Sequence, residues 1–399
     1  MPPSSPAVDI ALIAPFCADS NSRWFSPGRQ RKLSQVMAVL NTAGYRWQGL
    51  STCPASTGTS TEQAAASDAS LPLQSGHLKS LCHSDFWPLR LLDTLVHSLG
   101  IGRRWGHQQP MPVLWLYNTR ISEALVALVL LKLQRHTNER PRVVLQLEDL
   151  PAARQANAGI RGAIDRWSTT TLARHASAAL CVSEPVAQAF QAISGFPRSR
   201  IQLLPPLLDA AAQAVFNARS EPFQDETITI VYAGGYDIEK GVLDLLSAFQ
   251  CLQSKRYRLL LFGPIPASLH AQLANQDRLE LRGLVPLPEL FTAYSQADVV
   301  VNPHRPIAHS SYIFPFKLVE LLASGALPLS TPMPGLKAYG LPDDCLFQGP
   351  DQLTQRLQLA PQIWCQHRSS LQQLARQVRH QHSLEQAQQT IRQAIEALP

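Results

Sequence analysis

The chain has 399 residues, and 45% of them are hydrophobic, a length beyond one ordinary core, so two domains of about 200 residues each are expected. The formal charge of +6 and pI near 9.0 fit a partner carrying phosphate or an anionic membrane surface, whereas the lack of a basic run with interleaved aromatics argues against nucleic acid. Seven scattered cysteines without Cys-x-x-Cys spacing exclude a zinc ribbon or redox pair and fit reduced thiols in a cytoplasmic chain.

The start, Met1-Pro-Pro-Ser-Ser-Pro6, lacks the positive region of a signal peptide. Ile10 to Phe16 reads as the first strand. Arg29 to Thr42 reads as a helix with Leu33, Val36, Met37 and Leu40 on one face and Gly44 as its stop. Across 51–80 the composition shifts to Ser, Thr, Ala and Gln, as in Ala55-Ser-Thr-Gly-Thr-Ser-Thr61, which predicts a flexible insertion. Val113 to Tyr117 is a strand, followed by a helix from Ser122 to about His136. The apolar stretch Ile121 to Leu133 contains Glu123 and is well short of the ~20 apolar residues of a membrane span, so a soluble protein is expected. Val143 to Leu147 is the next strand, then a helical stretch around Ala163 to Arg174, then Ala178-Ala-Leu-Cys-Val-Ser183, a strand ending in an N-cap serine.

Leu204-Pro-Pro-Leu-Leu-Asp209 opens a break that reads as an interdomain linker over 206–226, closing a first domain of 1–205. The second domain, 227–380, restarts with the strand Ile228 to Ala233, a Gly-Gly turn and a helix from about Gly241 to Gln253. Further strands are expected at Tyr257 to Phe262, Leu279 to Arg282, Ala297 to Val301 and Ala326 to Leu329. From Gln352 the pattern is helical, ending in a C-terminal helix over 381–399 that could pack back on the first domain. Strand-length apolar runs alternating with amphipathic ones give an α/β fold of two Rossmann-like domains with parallel sheets.

Two constellations carry chemistry. In Ile230-Val-Tyr-Ala-Gly-Gly-Tyr-Asp-Ile-Glu-Lys-Gly241, a strand passes through Gly234 and Gly235 into a helix start bearing Lys240. Glycines admit an anion to backbone N–H groups, the helix end adds partial positive charge and the lysine a full one, which describes a diphosphate seat. The same residues also suit a tight βα turn with a solvated lysine. In Phe314-Pro-Phe-Lys-Leu-Val-Glu-Leu-Leu-Ala-Ser-Gly325, Lys317 and Glu320 share a helical face. Glu320 there could accept both hydroxyls of a ribose while Lys317 faces phosphate, or the two could form a surface salt bridge. No Asp-x-Asp and no ligand spacing among histidines occurs, so no metal is expected.

The order of these segments, with Leu259-Leu-Leu-Phe-Gly263, Leu281-Arg-Gly-Leu-Val285 and Leu290 to Pro303 between them, resembles the donor domain of the retaining GT-B glycosyltransferases of family 4. The resemblance covers Thr227 to Pro334 closely and the first half more loosely. It implies a GT-B architecture of two facing domains with a cleft between them, and no cofactor beyond a nucleotide diphospho-sugar co-substrate. Residue by residue, it implies that Lys240 binds the donor diphosphate and Glu320 the ribose. Gly263, Gly283, Leu284 and Val285 would line the base and phosphate pocket, and Phe316, Lys317 and Leu318 would flank Glu320. Where the family has Gly-Arg-Leu, this chain has Gly234-Gly235-Tyr236, so a diphosphate-binding arginine is missing, with Arg305, Lys317 or a first-domain arginine to replace it. The family's first glutamate falls at Tyr312.

The first domain is expected to hold a saccharide or lipid-linked acceptor, with peripheral membrane contact through the basic surface. Glu148 and Asp149 end the strand where relatives show His-Asp, and either could orient or deprotonate an acceptor hydroxyl, or cap the next helix. Arg23 and Trp24 could meet the acceptor or donor phosphates, or simply begin a helix, and His304 lies in a loop that could touch the donor. A non-catalytic nucleotide-sugar binder and a nucleotide-sugar epimerase are competing readings.

Overall fold

In a computed structural model the described residues are 9–17, 22, 24, 26–54, 77–84, 86–105, 113–133, 142–153, 159–273, 276–305 and 316–396. The chain divides into two compact units, Met1–Leu207 with Ala387–Pro399, and Leu208–Gln386.

The first unit runs β1 (Ile10–Ala14), α1 (Pro27–Thr42), β2 (Trp47–Pro54), β3 (His77–Cys82), α2 (Trp87–Trp105), β4 (Val113–Tyr117), α3 (Ile121–Leu133), β5 (Val143–Leu147), α4 (Ile160–His175), β6 (Ala178–Cys181), α5 (Glu184–Ser194) and β7 (Ile201–Leu203). Its sheet has the order β3-β2-β1-β4-β5-β6-β7, and every pairing is parallel. β1, β4 and β5 are buried at every residue. Strands covered on both faces must read as continuous apolar runs, which is why these three were visible in the sequence.

The region 51–80 departs from the expected flexible insertion at both ends. β2 extends to Pro54, β3 starts at His77, and the two pair in parallel with Ser51 opposite Ser80. Their polar residues conceal strand character: β3 is the edge strand, and in β2 the buried Ser51 and Thr52 donate their hydroxyls to Phe16 O and Glu123 Oε1. Residues 55–76 lie outside the described set.

A buried cation ties α1 to the end of the first unit's sheet. Lys32 Nζ sits 3.2 Å from Glu148 Oε1 and donates to the carbonyls of Leu204 and Pro205. Glu148 also accepts from Gln146 Nε2 at 2.7 Å, and Gln146 Oε1 accepts from Trp115 Nε1 at 2.9 Å. Burial pushes the Lys32 pKa down and Glu148 pushes it back up.

The second unit runs α6 (Ala210–Asn217), β8 (Ile228–Ala233), α7 (Val242–Gln250), β9 (Tyr257–Phe262), α8 (Ala267–Leu273), β10 (Leu279–Gly283), α9 (Leu287–Gln296), β11 (Val299–Asn302), α10 (Phe316–Ala323), β12 (Leu327–Ser330), α11 (Gly349–Gln358) and α12 (Ala360–Gln381). Its parallel sheet has the order β10-β9-β8-β11-β12. The span expected as a linker is in part core: Asp209 caps α6 by accepting from Ala211 N, and Ala212 and Phe216 are buried in the second unit. α13 (Leu384–Glu396) ends the described chain, and its Ala387, Ile391, Ala394 and Ile395 join the core of the first unit.

Because removing one partner strands the other charge in the interior, Lys32→Ala should lower stability by about 3–5 kcal/mol. The double variant Lys32→Met with Glu148→Gln should recover most of that loss. Urea unfolding of the three proteins, compared through their midpoints, checks both expectations.

Candidate functional site

Gly234 and Gly263 directly follow the carboxyl ends of β8 and β9, and β10 ends at Gly283. Gly234 N donates to Phe262 O at 3.0 Å, and Gly263 N donates to Gly283 O at 2.7 Å. Gly263 has φ +123°, and a Cβ built there would lie 1.9 Å from Gly234 O. No side chain fits between these strand ends, so backbone is what they present. In an open α/β sheet, the carboxyl ends of the strands are where ligands collect.

Lys240 reaches this edge through a second close approach. A short 3-10 turn, Ile238–Lys240, ends at Gly241, whose φ of +66° starts α7. A Cβ on Gly241 would lie 1.8 Å from Pro303 O, so the glycine lets the turn press against the chain leaving β11. Arg305 N then donates to Glu239 O at 2.9 Å, and Lys240 Nζ stands 3.4 Å from His304 Nε2. His304 Nδ1 is 3.1 Å from Arg305 O. A carbonyl can only accept, so Nδ1 carries the proton and Nε2 turns its lone pair to Lys240. Burial, and then Lys240 and Lys317, hold the His304 pKa below its ordinary value, against an upward pull from Arg305 O.

The second ammonium comes from α10. Lys317 Nζ would lie 2.8 Å from a Cβ at Gly234, which places it at the first glycine of the Gly-Gly turn. Its pKa is pushed down to about 8, chiefly by burial and then by repulsion from Lys240, with Glu320 acting in the opposite sense. Glu320, one turn further along α10, is 3% exposed. Lys240, Lys317, His304, Glu320 and the glycines of β8 and β9 thus come together in the second unit, whereas Arg305 is held by Asp244 in a bidentate pair at 2.9 and 2.7 Å. Such a grouping suits an anion with two adjacent phosphates: cations for its charge, a glycine turn that leaves room for its close approach and a carboxylate for hydroxyl groups beside it.

The other expected residues are placed as follows. Leu318 is in the core, Val285 packs against it, and Leu284 is 79% exposed. Phe316 begins α10. In the first unit, Trp24 lies under the Arg90 guanidinium, 4.4 Å from its ring centroid. Glu148 is in the Lys32 pair, and the amides of Glu148 and Asp149 both donate to Asn118 Oδ1. Arg23 and Tyr312 lie outside the described residues. Lys32 and Tyr232 were not singled out from sequence. Tyr232 Oη donates to Gly235 O at 2.5 Å and thereby holds the Gly-Gly turn. Its place two residues before the turn was the available signal.

Residues 227–359 match the family described as Glycosyl transferases group 1. Among solved structures, sucrose-phosphate synthase from Thermosynechococcus elongatus is similar at 16% identity and TM-score 0.64, covering 98% of both chains. A glycosyltransferase from Rickettsia africae is similar at 12% identity and TM-score 0.70, covering 98% of this chain and 99% of its own. Anabaena Alr3699/HepE, solved in complex with UDP and glucose, is similar at 11% identity and TM-score 0.64, covering 97% and 99%. No curated protein matches by sequence. The chain has the GT-B fold, and residues 227–359 of its second unit are similar to the group 1 glycosyl transferases. Lys240, Lys317 and Glu320 all fall inside the matched residues.

Two glycines separate steric from conformational demand. Gly283→Ala meets nothing within 4 Å at φ +67° and should cost about 1–2 kcal/mol of strain. Gly241→Ala adds the collision with Pro303 O to a similar strain and should lower the melting temperature clearly further. Thermal unfolding of the two variants measures the difference.

Proposed function

We propose that this protein transfers a sugar from a nucleotide diphospho-sugar to a hydroxyl of a saccharide or lipid-linked acceptor, without a metal ion and with retention of configuration. The observation that carries the reading is the convergence of the Lys240 and Lys317 ammonium groups on the glycine-ended strands, beside Glu320. In this reading the diphosphate lies against the two ammonium groups at the Gly234-Gly235 turn, and Glu320 receives the ribose hydroxyls. As the glycosidic bond breaks, negative charge grows on the departing diphosphate, and fixed cations and backbone dipoles stabilise it more than they do the ground state. They supply charge that a divalent ion would otherwise bring. The binding of UDP and glucose by Alr3699/HepE supports a nucleotide-sugar donor, and the formal charge of +6 supports an acceptor carried at an anionic membrane face.

A screen of nucleoside diphosphates by thermal shift selects the donor base, because a ligand that binds only the native state raises its stability. With the donor so chosen, Lys240→Ala should lower kcat about 100-fold or more at unchanged melting temperature, and chelation should leave the rate intact. A normal rate in that variant sinks the reading. Donor-only incubation separates the competing activities, since an epimerase changes the donor without an acceptor and a non-catalytic binder releases no nucleoside diphosphate.

The pH dependence of binding has a definite sign. The Lys317 ammonium in the empty site loses its proton near pH 8, and a bound dianion favours the charged form, so its pKa rises on binding. Affinity for the nucleoside diphosphate should therefore fall as pH rises above about 8, approaching tenfold per unit until the bound-state pKa is reached. Titration calorimetry across pH 7–10 measures it, and Lys317→Met should flatten the profile.

A further inference from the structure

The edge of the second unit's sheet opposite the lysines carries another concentration of positive charge. Helices in βα units run against their strands, so the carboxyl ends of α9 and α10 lie at the amino ends of β11 and β12. Here Arg219 donates to the carbonyls of Ser220, Tyr294, Ala297 and Ser324. Arg379 from α12 donates to Ala323 O at 2.7 Å. Both guanidinium groups meet the negative ends of helix dipoles, which hold them in place without cancelling a full charge.

Beside them a cavity of about 190 Å³ is lined by Arg219, Arg376 and Arg379, with Trp364, Phe216 and Pro222 among its apolar walls. Glu221 is the acid in its lining. That carboxylate accepts from Arg368 at 2.5 Å and from Gln372 at 2.8 Å, and Arg368 lowers its pKa. Asp298, which offsets Arg219 electrostatically, accepts from the amides of Phe223 and Thr229. One acid is thus matched to Arg368 and another to Arg219, which leaves the charges of Arg376 and Arg379 uncompensated. Their proximity is felt: burial and then Arg376 push the Arg379 pKa down, and Arg379 likewise depresses that of Arg219. Arg376 is exposed and forms no hydrogen bond or ion pair among the described residues.

We propose that this cavity is a second anion site, distinct from the lysine seat, that takes inorganic phosphate or a small phosphomonoester between Arg376 and Arg379. Two guanidinium forks can meet the oxygens of one phosphate, and the carbonyl anchors of Arg219 and Arg379 leave little side-chain motion to be frozen when it binds. The apolar wall leaves room for a compact organic substituent rather than a nucleotide.

The lysine seat also attracts phosphate, so the test removes it first. Inorganic phosphate and glucose 1-phosphate are titrated calorimetrically into the full chain as wild type, Lys240→Ala/Lys317→Ala, Arg376→Gln, and the triple variant. The double variant should keep one phosphate site, and adding Arg376→Gln should weaken it about tenfold or more. Tighter binding of the ester than of phosphate identifies a phosphomonoester as the occupant, and the reverse identifies free phosphate. Loss of all phosphate binding in the double variant, or equal affinity in the double and triple variants, overturns the proposal. The melting temperature of Arg376→Gln should match wild type, because the exposed side chain anchors nothing. Failure of the sugar-transfer reading would appear instead in the activity of Lys240→Ala and would leave this titration unchanged.

Discussion

The site of the second unit rests on a buried ammonium placed beside a second one, a cost that Glu320 offsets only in part. Lys317 is largely withdrawn from water beside Lys240, and its pKa has fallen from 10.5 to about 8. One pKa unit corresponds to about 1.4 kcal/mol, so holding this ammonium charged costs the folded protein on the order of 3 kcal/mol. That cost is present at neutral pH and is relieved as pH rises from about 8 toward 10.5, where the folded chain has lost the proton and the unfolded chain keeps it. A protein keeps such an arrangement when a ligand repays it. On the reading proposed above, that ligand is the donor's diphosphate, whose negative charge meets both ammonium groups.

The first unit shows how the same problem is solved when no ligand is involved. Lys32 is 1% exposed, yet it has Glu148 and two carbonyls as partners. The contrast lies in what surrounds each cation. A structural lysine is given a carboxylate within its own core, while Lys317 has both Lys240 and Glu320 near it and the lysine has the larger effect. Glu148 is committed to that pairing, so removing a proton from an acceptor would disturb the contact that holds Leu204 and Pro205 against α1. This gives Glu148 a positioning role in the fold, whichever part it takes in the chemistry.

Much of the architecture was legible because buried parallel strands leave continuous apolar runs. Val113–Tyr117, Val143–Leu147, Ile228–Ala233 and Tyr257–Phe262 have the bounds read from sequence. β3, an edge strand, and the end of β2, where buried Ser51 and Thr52 find hydrogen-bond partners, were not legible, since composition reports neither backbone pairing nor those partners. α6 was hidden behind Leu204-Pro-Pro, which reads as a chain break although the helix after it buries Phe216. Within the site, the glycines and Lys240 were legible as a motif. The 3-10 turn, the Pro303 contact and the His304 lone pair were not, because each depends on segments far apart in sequence meeting at the strand ends. Conversely, Arg305 was a reasonable substitute for the missing arginine on residue type alone, and its bidentate pairing with Asp244 becomes visible only in three dimensions.

The absence of that arginine changes the kind of charge the site carries. A guanidinium stays protonated throughout the accessible pH range and loses little when buried, whereas a lysine yields its proton readily once desolvated. Gly235 stands at the position of the missing cation, and the neighbouring Tyr236 ring packs edge-on against Tyr232 with centroids 6.0 Å apart. That contact supports the Gly-Gly turn sterically and adds no charge. The second positive charge comes instead from α10, on the far side of β11, and it is titratable. A seat built from Lys240 and Lys317 is therefore strongest when both are protonated, and the anion itself helps to keep them so. On the proposed reading, charge in this site is partly a property of the complex with its anion, which follows from replacing a permanent cation with a buried amine.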